Sequence, residues 1–130
     1  MVLRNVLLAL ARVVGDEKTD FYSGSKFSND LGETWRVEDV IKFAKSRPKY
    51  LHKDFSINSI KHDLSWWQGD KSRMEKADTS FPVLVLKEKD GTLTIADGLN
   101  RTYKALNVEK KKTIPAYLIP VEDIEHLKLP

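Results

Sequence analysis

The junction between residues 96 and 101 constrains the fold more than any other part of this chain. Residues Thr92 to Ala96 alternate as in a strand, and the spacing of apolar residues from Arg101 to Asn107 is that of a helix. Asp97 and Gly98 lie between them, where a carboxylate can cap a helix and a glycine can adopt a positive φ. The sequence therefore predicts a strand that turns directly into a helix.

Neighbouring segments predict further strands. Asp90-Gly91 separates the apolar runs 83–86 and 93–95, a strong signal for a hairpin. The run Ile114 to Ile119 predicts another strand, and Pro115 within it favours an edge position or a strand start. In the helix after Gly98, Leu99, Tyr103 and Leu106 share one face, so we expect Arg101 and Lys104 to point away from the core.

The remaining elements are assigned from periodicity and capping residues. Val37, Val40, Ile41 and Ala44 follow helical spacing, with Thr34 as the expected cap. The other predicted elements are a strand over Tyr50 to Ile57, a helix over Lys71 to Ala77 capped by Asp70, and a short helix over Val121 to Leu127. Val2 to Val14 predicts an amphipathic helix that packs on the fold or docks to a partner protein, and 15–33 predicts a loop anchored by Phe21, Tyr22 and Phe27.

Composition limits the classes of function. A length of 130 residues suits one domain, 1–130, and the absence of cysteine excludes disulfides, thiolate metal sites and thiol nucleophiles. A net charge of +3, to which Lys110, Lys111 and Lys112 contribute, mildly favours anionic partners. The histidines share no ligand spacing, so no metal site is predicted. The absence of cysteine is compatible with the cytosol, and the apolar run from Val2 to Val14 is far short of the roughly 20 residues that span a bilayer. We therefore expect a cytoplasmic protein without membrane contact.

The segments from residue 81 to residue 119 resemble the ParB/sulfiredoxin-like superfamily. Its members pair a strand of the type seen at Pro82 to Val85 with a strand that ends in D-G-x-x-R, here Asp97 to Arg101, and close the unit with a strand like Ile114-Pro115-Ala116. The resemblance implies an α+β fold with a small mixed β-sheet covered by helices. It places the ParB/sulfiredoxin-like core at 48–130, after a helical and loop extension at 1–47.

The resemblance also implies a ligand, because members of the superfamily bind CTP, ATP or ADP through this turn. The implied phosphate-binding residues are Gly98 and Arg101, and Asp97 matches the D-G variant of a free-serine kinase branch. From the residues themselves, Asn100 and Arg101 occupy the first helical turn, where backbone amides favour an anion, and Lys104 follows one turn later. ATP or CTP with Mg²⁺ is the expected cofactor.

Catalysis needs a metal and a base besides an anion site. For an NTPase or a small-molecule kinase, Asp97 is the first catalytic candidate, and Asp63 and His62 follow. Leu99 and Asn100 stand where sulfiredoxins have cysteine and histidine, and Leu99 also replaces the kinase histidine. Without a cysteine the chain is not a sulfiredoxin, and we expect any turnover to be slow or absent.

Two alternatives from other classes remain. The first is a nucleic-acid-binding ParB-like module, for instance for DNA, that uses Lys110, Lys111, Lys112, Arg101 and the exposed ring of Trp67. The second is a phage or mobile-element interaction protein that keeps the fold without chemistry. The three hypotheses therefore predict different partners: a nucleotide, a nucleic acid or another protein.

Overall fold

The structure is a computed structural model that describes residues 25–67 and 69–130. The predicted helix over Val2 to Val14 and the anchors Phe21 and Tyr22 lie outside the described residues. In chain order the strands and α-helices are β1 (Lys26–Ser28), β2 (Thr34–Arg36), α1 (Val37–Lys45), β3 (Leu51–Ser56), α2 (Lys71–Lys76), β4 (Val83–Lys87), β5 (Leu93–Asp97), α3 (Leu99–Asn107) and β6 (Thr113–Pro120). Short 3₁₀ segments cover Pro48–Tyr50, Ile57–Ser59, Lys61–Trp66 and Val121–Leu127.

A small mixed sheet forms the centre of the protein, as the sequence predicts. Its four strands lie in the order β3-β6-β4-β5. β6 pairs antiparallel with β3 and parallel with β4, while β4 and β5 form the antiparallel hairpin that turns at Asp90-Gly91. The α+β class and the hairpin are therefore confirmed.

The position of β6 differs from the prediction for Pro115. β6 is an inner strand, so the expectation of an edge is wrong. Pairing of β6 with β4 begins only at Ala116. On its other side β6 pairs with β3, and the register shifts between the pairs Phe55–Ile114 and His52–Ala116. Pro115 thus lies near the strand start beside an irregularity, where a residue without a backbone N–H is tolerated.

Helical segments cover both faces of the sheet, which gives two hydrophobic cores. One face packs Leu84, Leu86 and Ile119 against α1 and the buried Trp35. The other packs Val85 and Ile114, among others, against α3 and the 3₁₀ segments after β3. Because β4 contributes alternate residues to both cores, it is buried on both sides until Lys87.

The segment before α1 contains more regular structure than predicted. β1 and β2 form a two-stranded antiparallel hairpin where the sequence favours a loop, although Phe27 packs on the core as expected. Arg36, rather than Thr34, precedes the first turn of α1, because Thr34 is part of β2. The cap of α2 is confirmed, since the Asp70 carboxylate accepts from the backbone N–H groups of Ser72 and Arg73.

Membrane insertion through a helix finds no support in the part of the chain that the structure describes. None of its helices has the length and apolar character needed to cross a bilayer.

Candidate functional site

The predicted strand-to-helix junction is present, and Gly98 makes it possible. β5 ends at Asp97, α3 begins at Leu99, and Gly98 between them has φ +98°. A Cβ built on Gly98 would lie 2.5 Å from Cγ1 of Val83. Position 98 therefore requires glycine for two reasons: the backbone is left-handed there, and it packs closely against β4.

Arg101 is buried, contrary to the expectation that it points away from the core. Its side chain is 1% exposed and its Nη2 lies 2.9 Å from Oδ2 of Asp97, a carboxylate that is itself 9% exposed. Nη1 donates to the carbonyl oxygens of Phe81 at 3.1 Å and Pro82 at 2.6 Å. The arginine thus joins the start of β4 to the end of β5 and the first turn of α3.

The burial of α3 also departs from the predicted stripe. The most buried residues of α3 are Asn100, Arg101, Thr102 and Ala105. The predicted stripe of Leu99, Tyr103 and Leu106 does pack against the core, but it is only half-buried. Gly98 rather than Asp97 occupies the cap position, and Thr102 donates its hydroxyl to the Gly98 carbonyl. Packing against β4 rotates the helix so that a charged residue lies inside, where its ion pair compensates the loss of water.

Asn100 contacts a loop from a distant part of the chain. The indole Nε1 of Trp67 donates to its side-chain oxygen at 2.7 Å, and the Trp67 ring stacks on Tyr103 with centroids 4.0 Å apart. Gly69 lies so close to Asn100 and Trp67 that a Cβ would clash with both. This loop therefore covers one side of the α3 N-terminus, and Trp67 is half-buried rather than an exposed ring.

Lys104 also contacts the protein itself. Its ammonium group donates to the backbone carbonyls of Glu75 and Ala77, each at 2.7 Å. These carbonyls belong to the C-terminal end of α2, where a cation is favourable. Lys104 thereby attaches α2 to α3.

His62 and Asp63 lie on the outer side of β5. One Asp63 oxygen accepts from the backbone N–H of Ile95 at 2.8 Å, and the other lies 3.2 Å from Nε2 of His62, which is 55% exposed. β5 is an edge strand of the four-stranded sheet. Asp63 therefore satisfies an edge N–H group that would otherwise be available for strand pairing.

The three lysines after α3 differ in their contacts, because Lys111 has an ion pair while Lys110 and Lys112 are exposed. Lys111 lies 3.1 Å from the Glu109 carboxylate, which also accepts from the Thr79 hydroxyl at 2.6 Å, and that hydroxyl bond lowers the pKa of Glu109. Lys110 and Lys112 are exposed, and the Lys112 carbonyl accepts from the N–H of Ile57 just beyond β3. Lys112 is thus placed at the end of β3.

On and around β3 lies a set of cations of which only Lys112 is predicted from the sequence as a binding residue. The stretch from residue 42 to residue 53 contains five lysines and arginines, one histidine and no carboxylate. We define the basic edge as the exposed residues Lys42, Lys45, Arg47, Lys49, Lys53 and Lys112. Among the described residues, none of the six forms an ion pair. The missing acids in 42–53 were a signal that sequence reasoning could have used.

The basic edge follows the chain from the end of α1 to β3 and includes the residue just before β6. α1 ends in Lys42 and Lys45, the chain then passes Arg47 and Lys49, and β3 runs antiparallel to β6 until Ser56 faces Thr113. In the four-stranded sheet β3 lies at the end of the strand order, next to β6, so it is the edge opposite β5. The six residues of β3 extend about 20 Å, which separates the cations before the strand from Lys112 beside its last residue.

Residues 25–67 and 69–130 contain no preassembled set of metal ligands. No group of three or more histidine, aspartate or glutamate side chains is arranged there to hold an ion. Of the three catalytic candidates, Asp63 and His62 are in contact with each other at 3.2 Å, and Asp63 also accepts from the backbone N–H of Ile95. Asp97 instead pairs with Arg101.

Comparisons with known proteins give no match: no family model, no curated protein and no solved structure is similar to this chain at a significant level.

Proposed function

We propose that this protein is a nucleic-acid-binding module whose fold is of the ParB/sulfiredoxin-like type. The observation that carries the proposal is the basic edge, whose six exposed cations lie on the last turn of α1, on the link to β3, on β3 itself and just before β6. None of the six forms an ion pair among the described residues. A phosphate backbone is the polyanion that such a row matches, since each lysine or arginine that contacts a phosphate releases counterions. Sequence-independent binding is expected, because contacts to phosphates position a ligand without reading its bases.

The interactions of Arg101, Asn100 and Lys104 support this choice over a nucleotide site. All three side chains of the expected phosphate site contact protein groups: a buried carboxylate and carbonyls, an indole, and the end of α2. A phosphate at this position would have to compete with those contacts.

At the basic edge the cations have no carboxylate partner among the described residues, but Arg47 donates to the Phe43 carbonyl and the Ser46 hydroxyl. The Arg47 guanidinium also lies over the Phe43 ring and the Lys49 ammonium over the Tyr50 ring, so a phosphate there would compete with these exposed local contacts and with water.

The proposal is tested by binding of labelled oligonucleotides to the full chain at two salt concentrations. The variant carries Lys45→Gln, Arg47→Gln and Lys49→Gln, and the control carries Lys26→Gln and Lys87→Gln, which remove exposed lysines on β1 and β4. We expect the triple variant to bind at least tenfold more weakly at low salt. The slope of the logarithm of the binding constant against the logarithm of the salt concentration (the salt slope) should be smaller by about 2. Absence of binding by the unmodified chain, or equal loss in the control, would reject the proposal.

Nucleotide-phosphate binding, with NTP hydrolysis or phosphotransfer, is the second proposed function. The observation in its favour is Gly98, whose left-handed conformation lets α3 begin directly at the end of a strand. Thermal shifts with ATP, ADP, CTP and GTP, each with and without Mg²⁺, test it, because a ligand that binds only the folded state raises the melting temperature. A shift with one nucleotide and none with oligonucleotides would favour this function; no shift with any ligand would leave the non-catalytic interaction protein.

A further inference from the structure

We propose that the basic edge takes single-stranded rather than double-stranded nucleic acid, with phosphates on its cations and bases against His52 and Phe55. This inference rests on the proposed nucleic-acid function and names the class of ligand and two further contact residues. It depends on the way β3 combines charge with aromatic rings.

The two rings lie on the same face of β3. His52 is paired with Ala116 and Phe55 with Ile114, and both partners belong to the core beneath α3. The ring centroids are 6.3 Å apart at an angle of 77°, an edge-to-face arrangement. Phe55 is half-buried against that core while His52 is exposed, so the pair offers a supported surface to solvent.

Cations surround this ring pair along the strand. Lys49 precedes β3, Lys53 lies between the two rings in sequence, and Lys112 follows where β3 ends beside β6. The register of β3 with β6 shifts between His52 and Phe55, which places Lys53 and Asp54 in the irregular part of the strand. Asp54 is the one carboxylate there and lowers the local positive charge.

Charge next to exposed rings distinguishes the two forms of nucleic acid. A single strand exposes the faces of its bases, and stacking on an aromatic side chain adds to the attraction of its phosphates. A duplex keeps its bases stacked inside and presents mainly phosphates to an edge strand. The rings therefore favour the single strand, and the cations alone do not discriminate.

The test measures anisotropy of a labelled 12-mer as single-stranded DNA, single-stranded RNA and duplex DNA with the full chain. His52→Ala and Phe55→Leu are compared with Phe81→Leu, which changes an aromatic ring that is also partly exposed but lies outside the basic edge. Melting curves of each variant establish that it is folded; if Phe55→Leu is not, His52→Ala alone decides.

We expect either single strand to bind at least tenfold more tightly than the duplex. His52→Ala and Phe55→Leu should weaken single-strand binding about fivefold, leave duplex binding unchanged and exceed the effect of Phe81→Leu. Equal or tighter duplex binding, or unchanged single-strand affinity in both variants, would overturn the inference while the nucleic-acid function stands. Absence of binding to all three oligonucleotides would overturn both.

Discussion

The strand-to-helix junction and the basic edge use positive charge in opposite ways. At the junction, Arg101 is buried and its guanidinium satisfies a carboxylate and two carbonyls of the same chain. At the edge, the cations are exposed and form no described ion pair. A motif arginine can therefore serve the stability of the fold, whereas cations outside any motif stay at the surface without a carboxylate partner among the described residues.

Removal of Arg101 should have the largest effect on stability. Arg101→Ala leaves the Asp97 carboxylate buried without its cation, and breaking a buried ion pair by losing one partner costs about 3 to 5 kcal/mol. Urea unfolding measures the loss. Lys53→Ala is the exposed control, and we expect its free energy of unfolding to stay within about 0.5 kcal/mol of the unmodified chain.

A loss below about 1 kcal/mol in Arg101→Ala would contradict a structural role and return Arg101 to the list of ligand contacts. Arg101→Lys sharpens the comparison, because lysine keeps the charge but cannot donate to Asp97 and two carbonyls from one planar group.

Two glycines with similar backbone angles separate strain from packing at the junction. Gly91 has φ +90° with nothing near a built Cβ, whereas at Gly98 the Cβ meets Val83. Gly91→Ala should cost about 1 to 2 kcal/mol through its positive φ alone, and Gly98→Ala about 1 to 3 kcal/mol more through overpacking. Thermal or urea unfolding gives the loss in free energy of unfolding for each variant. Equal losses would show that Val83 moves aside without destabilising the protein.

Exposed cations should affect binding without affecting the fold. In a Lys53→Gln, Lys112→Gln double variant, we expect single-strand affinity to fall about three- to tenfold at low salt and the salt slope to fall by about 1.4, as for two lost phosphate contacts. The free energy of unfolding should not change by more than about 0.5 kcal/mol. If the free energy of unfolding fell as much as in Arg101→Ala, the cations of the basic edge would be structural like the arginine of the strand-to-helix junction, and the distinction between the two regions would not hold.

Glu88 is an intermediate case and should show the smallest effect. One carboxylate oxygen accepts from Asn29 and the other is buried without a hydrogen-bond partner in the described part of the chain. Burial first, and then the nearby Glu33, Asp90 and Asp30, raise the pKa of Glu88.

The raised pKa fixes the sign of the pH dependence. Because the folded state binds the proton more readily than the unfolded state, this group adds stability as pH falls from 7 through the raised pKa of Glu88 toward its ordinary value of 4.5. Glu88→Gln lacks that gain, so the melting temperature of the unmodified chain relative to this variant should rise on going from pH 7 to pH 5. An unchanged difference would mean that Glu88 is fully solvated.

Local sequence was sufficient for most of the elements, although not for the β1–β2 hairpin. The β4–β5 hairpin, the turn at Gly98, helix α1 and the Asp70 cap of α2 depend on periodicity, φ preference and hydrogen bonds within a few residues, so the sequence predicts them. The coarse α+β class follows from the same elements.

Tertiary structure alone decided where the charges lie. Arg101 is buried because carbonyls some 20 residues earlier in the chain accept its hydrogen bonds, and no helical periodicity contains that information. Pro115 lies in an inner strand because the parallel pairing of β6 with β4 fixes the strand order. Lys112 joins the cations of 42–53 only because β6 starts where β3 ends. Such placements depend on contacts between distant segments. Local propensity therefore sets most of the elements, and long-range packing determines which of their side chains are buried and which face solvent.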